Sequence, residues 1–583
     1  MIENFKNWFF FLESTKNKVF FILCLFLVLL GNLLETIGIA ITIPLLGLLV
    51  EKEFSRNYLF LIPNLSLFLE NFSKSDLILL FLLIINFFFI IKFFFLYFTY
   101  KTQGKFYQKL VINLYQKLMQ AYLKMPYLNY VNSNSSFFLK NLNVEISLIV
   151  LISKYYFILF TELVLVIFLF TLLLIYDFKT TLLSFSFFSF FILIFIKTTK
   201  KKLHYWGKNK MFEEEKLLKE TIEIFRGIKE IRIFAAASYF SKKIFKRKFI
   251  ISQIEKNQFI LQQLPRLFVE IFTLFCLTIV IIFLLSSNKS FQDIIIIIGL
   301  YTFIILRIMP SVPKLTNVLS DLSFYSQNVT NLITEFKSMD KINLHDNLQE
   351  KIPFYNLIEM KNISFSYEDK MNLNKKIILK NISIKIPKGK KIGIFGDSGS
   401  GKTTFVNILL NLIKPSSGEI IIDGKKIDYS KNDIPLRIGF VPQDIFLLDD
   451  TLLNNVTFGE DEQTIDFNKF NKSIMNSQLE HFINISKIGI KNQIIGESGV
   501  KISGGQKQRI GIARALYKES DIIIFDEATN SLDNYTESKV FSEIKNLVPK
   551  KTIVVITHKY SLIENFDIIY KFDNSDVTVI KSY

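Results

Sequence analysis

Six long apolar runs, at about 18–49, 76–100, 147–175, 180–197, 266–287 and 291–312, constrain this chain more than any other feature of it. Each suffices to cross a hydrocarbon layer of ~30 Å as a helix. The connections after the second and fourth runs are long and basic, whereas "YDFKT" at 176–180 and "SSNKS" at 286–290 are short. Lysine and arginine collect on the cytoplasmic side of spans, so the long connections are expected there. An even number of spans then puts both termini in the cytoplasm, with residues 1–340 as the membrane domain.

A formal net charge of +18 would raise nucleic acid as a partner in a soluble chain. The densest basic runs, "KTTKKKLHYWGKNK" at 197–210 and "SKKIFKRK" at 241–248, instead flank apolar spans. That placement serves membrane orientation, and no nucleic acid is expected as a partner. Cys24 and Cys276 both lie in apolar runs and read as packing residues, with neither a disulfide framework nor a zinc site indicated. His204, His345 and His481 have no ligand-like neighbours and read as surface or packing residues.

Residues 101–146 and 198–265 keep helical spacing, with charged positions interrupting apolar ones at intervals of three and four. They are expected to carry helices tens of ångströms into the cytoplasm. Each turns once, near "MPYLNYVNSNSS" and near "EIFRGIKEIRIF", where a short transverse helix would touch another domain. The N-terminal "NWFFFLES" has the pattern of an amphipathic segment lying along the interface. The first apolar run is too long for a cleaved signal peptide, and no small-x-small site follows it.

After an expected linker at 341–354, residues 355–583 alternate charged and apolar segments like a soluble α/β domain. "GDSGSGKTT" at 396–404 follows "KKIGIF" and precedes "FVNILLNLI", giving strand, glycine loop and helix, the context a phosphate-binding loop requires. Gly396, Gly399 and Gly401 let the backbone N–H groups of the loop, with Asp397, Ser398, Ser400 and Thr404, close around phosphates. Lys402 reaches the outer phosphates and Thr403 can hold Mg²⁺. "DIIIFDEAT" at 521–529 is a buried strand ending in two carboxylates, where Asp526 can bind Mg²⁺ and Glu527 can polarise an attacking water. "ISGGQKQR" at 502–509 opens a helix with Ser503, Gly504, Gly505 and Gln506, suited to capping a γ-phosphate with backbone donors. Gln443 in "FVPQD", Asp533 in "NSLD" and His558 in "VVITHK" complete the set.

These motifs in this order resemble the nucleotide-binding domain of ABC transporters across residues 355–583. The resemblance implies ATP and Mg²⁺ as cofactors and assigns further roles. Tyr367 in "SFSYED" would stack on adenine, while Thr403, Gln443 and Asp526 would hold Mg²⁺. Glu527, His558, Gln443 and Asp533 would form the catalytic group, with His558 sensing the γ-phosphate and Gln443 coupling to the membrane half. "IGESGV" at 495–500 is similar to an exporter-specific segment, with Glu497 facing a transverse helix. Ile502 stands where the family usually has leucine, a close match in volume. Because signature loops of this family complete the partner's site, a homodimer is implied. Six spans ahead of one motor resemble the exporter half-transporters: an all-α six-span membrane domain fused to a P-loop α/β ATPase domain, expected in a bacterial inner membrane.

Three cations bear on the cargo. Lys92 in "NFFFIIKFFFLYF" and Arg307 in "ILRIMPSV" lie about 16 residues into their spans, or ~24 Å, and Arg266 in "LPRLFVE" sits at the inner mouth of the fifth, so similar depths are expected. A charge at the bilayer centre costs at least ~3 kcal/mol on insertion scales. Either the three engage a phosphate-rich head group, or each snorkels or pairs with a carboxylate such as Glu162 or Glu270.

"ETIGIAITIPLLGLL" at 35–49, "LPRLFVEIF" at 264–272 and "LRIMPSVPKLTNVLSDLSFYSQNV" at 306–329 resemble the PglK-type flippases, which move polyprenyl-diphosphate-linked oligosaccharides. That resemblance implies Lys92, Arg266 and Arg307 as diphosphate contacts, with lysine at 92 where arginine is expected. It also implies a short external helix at 57–72 that guides the polyprenyl tail. The rival cargoes are a peptide, a drug-like amphiphile or another lipid. The 17 residues before the first span are too few for the protease domain that peptide exporters of this build often carry. A gated channel or regulator without turnover is a second rival, opposed by Glu527 and the intact signature.

Overall fold

The structure, a computed structural model, describes residues 2–41, 45, 74–176, 178–285, 291–340, 352–367, 376–427, 436–480, 494–495, 502–528, 537–539, 542 and 550–582. They fall into two compact units: Met1–Met125 with Ser133–Leu344, and Pro126–Asn132 with His345–Tyr583. The expected external helix at 57–72, the loop at 286–290 and residues 341–351 of the expected linker lie outside the described residues.

The first unit is helical, as long apolar runs with internally paired backbones require. Helix α1 (Ile2–Ser14) precedes α2 (Lys18–Ala40) and α3 (Lys74–Leu123). The α3 helix runs for 50 residues, ~75 Å at 1.5 Å per residue, so the second span continues unbroken beyond any bilayer. Among the described residues, three helical stretches are long and apolar enough to cross a membrane: Lys18–Ala40, Ser75–Leu123 and Ser135–Ile175. Trp8, Phe11 and Leu12 of α1 are fully buried, and Trp8 Nε1 donates to Ser153 Oγ at 3.0 Å. The N-terminal segment expected to lie along the interface therefore lays its apolar face on the chain's own helices.

Pro126 marks the turn into α4 (Tyr127–Val131), after which α5 (Ser135–Lys140) leads through the π-turn Asn141–Glu145 into α6 (Ile146–Tyr176). The short α4 helix belongs to the second unit, and its Leu128 packs against that unit's core. Helices α7 (Phe178–Arg226) and α9 (Ala237–Leu285) flank α8 (Ile228–Ile233), which starts after Gly227. Arg247 ties the two long helices together, reaching Glu213 at 2.8 Å and Glu220 at 2.9 Å. Its hydrogen bonds hold the Glu220 carboxyl below the usual carboxylate range. The unit closes with α10 (Phe291–Ile308), α11 (Ser311–Phe324) and α12 (Ser326–Asp340). The sixth run, expected to continue to 312, ends as a helix at Ile308: Pro310 has no N–H and disfavours the helical region for Met309 before it.

The second unit holds two sheets. Strands β1 (Leu357–Tyr367), β2 (Lys376–Pro387), β4 (Ser417–Ile422) and β5 (Lys425–Lys426) form an antiparallel sheet in the order β2-β1-β4-β5. Strands β3 (Lys391–Gly396), β6 (Ile438–Val441), β7 (Ile522–Asp526), β8 (Thr552–Thr557), β9 (Ile568–Asp573) and β10 (Asp576–Lys581) form the other, in the order β10-β9-β3-β8-β7-β6. In it β9, β3, β8, β7 and β6 run parallel. Every residue of β7 and β8 is buried, which fits their near-continuous apolar sequences and a sheet covered on both faces. The register pairs Phe395 with Thr557, Ile556 with Asp526 and Phe525 with Val441, so the carboxyl ends of four neighbouring strands stop at one level.

Candidate functional site

That level edge is where an open parallel sheet presents its ligand site. From β3 the chain enters the loop 396–401 and then α13 (Lys402–Leu409), whose Phe405, Val406, Ile408 and Leu409 anchor it in the core. Gly401 stands at φ +101°, and a Cβ there would lie 2.7 Å from Leu379 Cδ2, so only glycine fits the turn. The buried Lys402 curls back, its Nζ donating to Gly396 O at 2.7 Å and Asp397 O at 2.8 Å. Burial pushes its pKa down, against the pull of Glu527, Asp526 and Asp397. Ser400 Oγ is buried with no hydrogen-bond partner among the described residues. An ammonium bonded only to carbonyls and a spare hydroxyl in a glycine loop fit a phosphate chain, whose oxygens would take up both.

The adjoining strands bring the carboxylates. Asp526 ends β7; burial first, and then Glu527, push its carboxyl up to about 6, against Lys402 and His558. Glu527 follows at φ +50°, an unusual left-handed conformation for a residue with a side chain, and its N–H donates to Ile556 O of β8 at 3.0 Å. Gln443 Nε2, just past β6, donates to Glu527 Oε2 at 3.0 Å. His558 Nε2, just past β8, meets Glu527 Oε1 as an ion pair, and its Nδ1 lies 3.0 Å from Gly396 O. Gln443, Glu527, His558 and Gly396 are thus one connected line along the sheet edge. The exposed Thr403 Oγ1, the Gln443 amide and the Asp526 carboxylate supply the hard oxygen donors that suit Mg²⁺.

Comparison with known families decides what this edge belongs to. The family described as "ABC transporter transmembrane region" matches residues 20–309, and the one described as "ABC transporter" matches residues 379–530. The chain belongs to the ABC transporters.

A solved bacterial Atm1-family ABC exporter with ATP bound superposes on this ABC transporter with a TM-score of 0.74, covering 97% of this chain and 95% of that one at 18% identity, which establishes the exporter fold. A putative export ATP-binding/permease protein of Rickettsia typhi is 38% identical over 227 residues, 39% of this chain and 38% of the relative. ATP-dependent lipid A-core flippases are 39% identical over 201 residues in Cupriavidus pinatubonensis, 34% of either chain, and 33% identical over 277 residues in Photobacterium profundum, 46% of this chain and 45% of the relative. The matched stretch spans less than half the length of these curated relatives.

The remaining motor residues of the ABC transporter divide. Ser503 caps α14 (Gly504–Tyr517) through a capping box: its Oγ accepts from Gln506 N at 3.2 Å while Gln506 Oε1 accepts from Ser503 N at 2.8 Å. Gly504 and Gly505 open the first turn, so the segment is a preformed, exposed helix N-terminus. Tyr367 is 40% exposed and stands edge-on to Phe365, leaving area for stacking. Asp533 and Glu497 lie outside the described residues.

In the membrane unit, two of the three cations converge and one does not. Lys92 Nζ lies 3.7 Å from Glu35 Oε2, and Arg307 Nε is ion-paired with Glu35 Oε1, so one carboxylate of α2 holds cations from α3 and α10. Arg266, 71% exposed, pairs along its own helix with Glu270 at 3.2 Å, and among the described residues no ion pair joins it to that cluster. Arg266 thus takes the paired alternative with Glu270, one helical turn away, while Lys92 and Arg307 share Glu35. Glu35 is the residue that the sequence reading missed. The signal was there: a lone carboxylate in an apolar span obeys the same rule as a lone lysine. Glu162, considered as a partner for these cations, instead accepts from Lys314 at 2.9 Å. That pair lines a cavity of about 580 Å³ with Asn32, Gln103, Lys154 and Asp321.

Proposed function

We propose that this ABC transporter is an ATP-driven exporter that works as a homodimer and carries a lipid with a phosphate-bearing head from the cytoplasmic to the outer leaflet of a bacterial inner membrane. The observation that carries the motor reading is the line Gln443–Glu527–His558–Gly396 beside Lys402. Bound ATP supplies a phosphoryl group whose transfer to water drives the cycle. Glu527 is the general base, with its two oxygens aimed by Gln443 and His558, so its position is fixed before water arrives. Lys402 exchanges the carbonyls of Gly396 and Asp397 for phosphate oxygens. Thr403, Gln443 and Asp526 would hold Mg²⁺, which would neutralise phosphate charge. Tyr367 takes the base, the loop 396–404 wraps the phosphates, and Ser503 to Gln506 complete the site of the second chain. Residues 1–340 and 355–583 act as transport and motor domains.

For the cargo, one lysine and one arginine side chain meeting inside the spans support an anionic head, and relatives named as lipid A-core flippases support a lipid. Within that class we favour a polyprenyl-diphosphate-linked oligosaccharide, with Lys92, Arg307 and, at the entrance, Arg266 contacting the diphosphate. ATPase activity in nanodiscs, with and without such a lipid, tests it. Stimulation by this lipid and by no zwitterionic lipid is expected; stimulation by peptides or neutral amphiphiles alone would overturn it.

A further inference from the structure

Glu35 is placed by the glycines around it. Gly31, Glu35 and Gly38 are spaced four and three apart, on one face of α2. A Cβ on Gly31 would lie 3.1 Å from Leu96 Cδ2, and one on Gly38 3.3 Å from Phe88 Cε1, so this is the face that meets α3 closely. Glu35 is thereby pressed towards Lys92, whose Nζ also lies 5.2 Å from the centre of the Phe89 ring. The three charged side chains are mostly buried, at 16% exposure for Lys92, 13% for Glu35 and 28% for Arg307.

Among the described residues, one carboxylate against two cations leaves the cluster with one positive charge in excess. A structural ion pair needs one cation, and a second half-buried cation on the same carboxylate raises its desolvation cost. An anion carrying two negative charges would neutralise both cations, which a carboxylate cannot do. We infer that Glu35 is an internal stand-in for the substrate's anionic head: it occupies Lys92 and Arg307 until a diphosphate-type group displaces it, so that it sets the affinity and selects against singly charged lipids. This rests on the anionic-head reading above. Displacement frees Glu35 from α3 and α10 together, so the arrival of substrate releases two helix-to-helix ties in one step.

The test uses the full chain in phosphatidylcholine nanodiscs, with ATPase followed against increasing polyprenyl diphosphate, a neutral polyprenol, or inorganic pyrophosphate. Glu35→Gln should lower the half-saturating concentration of the diphosphate lipid by roughly tenfold. Glu35→Asp, which withdraws the charge by one methylene, should shift it in the same direction by less, and this variant decides the matter if Glu35→Gln does not fold. An equal shift with pyrophosphate assigns the effect to the head group alone; a shift confined to the lipid assigns it to the head group presented from the membrane. Unchanged or weaker affinity in both Glu35 variants, while Lys92→Leu weakens stimulation, would overturn the stand-in and leave the anion site intact. Wild-type protein that responds to no diphosphate would overturn both.

Discussion

The motor edge and the membrane charge cluster each gather residues distant in sequence, but by different means. At the motor edge, strand register does the gathering: Gly396, Asp526, Glu527, Gln443 and His558 lie at or just past the ends of adjacent parallel strands whose hydrogen bonds fix their level. In the membrane unit, Glu35, Lys92 and Arg307 meet because helices approach closely enough for long side chains to bridge. A site set by backbone register tolerates a changed side chain without moving, so substitutions there should remove chemistry and spare assembly. A site set by helix spacing should respond to residues that carry no charge at all.

The largest effect follows from the first half of that contrast. Glu527→Gln keeps shape and the Gln443 contact but cannot accept a proton, so ATPase activity should fall by ~10²–10⁴ while ATP binding persists. Binding lost along with turnover would mean that Glu527 shapes the pocket, and unaltered turnover would refute the general-base assignment. Removal of Mg²⁺ by chelation should abolish turnover to a similar degree.

Next in size is the separation among the cations. Lys92→Leu and Arg307→Leu should each raise the half-saturating concentration of a diphosphate lipid by on the order of tenfold, whereas Arg266→Leu should change it by less. Equal losses from all three would restore the triad and show that Arg266 leaves Glu270 when substrate binds.

What the sequence disclosed follows the same division. The loop 396–404, the carboxylates Asp526 and Glu527, and the capped Ser503 segment were legible because their geometry is local, written in glycines, a strand and a cap. The six apolar runs announced helices for the same reason. Glu35 was not singled out, since its meaning depends on rotation and approach of α2 against α3, which span composition does not encode. The amphipathic pattern of "NWFFFLES" was legible, but not that Trp8, Phe11 and Leu12 are fully buried against the chain's own residues, because an apolar face looks alike whether protein or lipid covers it. The capture of Lys402 by Gly396 and Asp397 carbonyls depends on loop closure that the motif alone does not state.

A smaller effect should come from α4. Leu128 packs against the motor unit's core although it lies between two membrane-unit segments in sequence. Leu128→Asp is expected to lower transport per ATP hydrolysed by on the order of fivefold, with ATPase little changed. Loss of both together would point to misfolding.

The smallest effect probes spacing without touching charge. In Gly38→Ala the new methyl would stand 3.3 Å from Phe88 Cε1, so the edge of that ring must give by a few tenths of an ångström. Alanine also favours the helix by ~1 kcal/mol over glycine, so stability should change little and diphosphate affinity by less than about twofold. Gly38→Leu is the sharper instrument, because its branched side chain must push α2 away from α3. As the carboxylate retreats from Lys92, the lysine becomes easier to claim, and diphosphate affinity should rise in the same direction as for Glu35→Asp. A fall in affinity would mean that close helix contact builds the anion site itself, and the membrane unit would then depend on backbone placement as strictly as the sheet edge does.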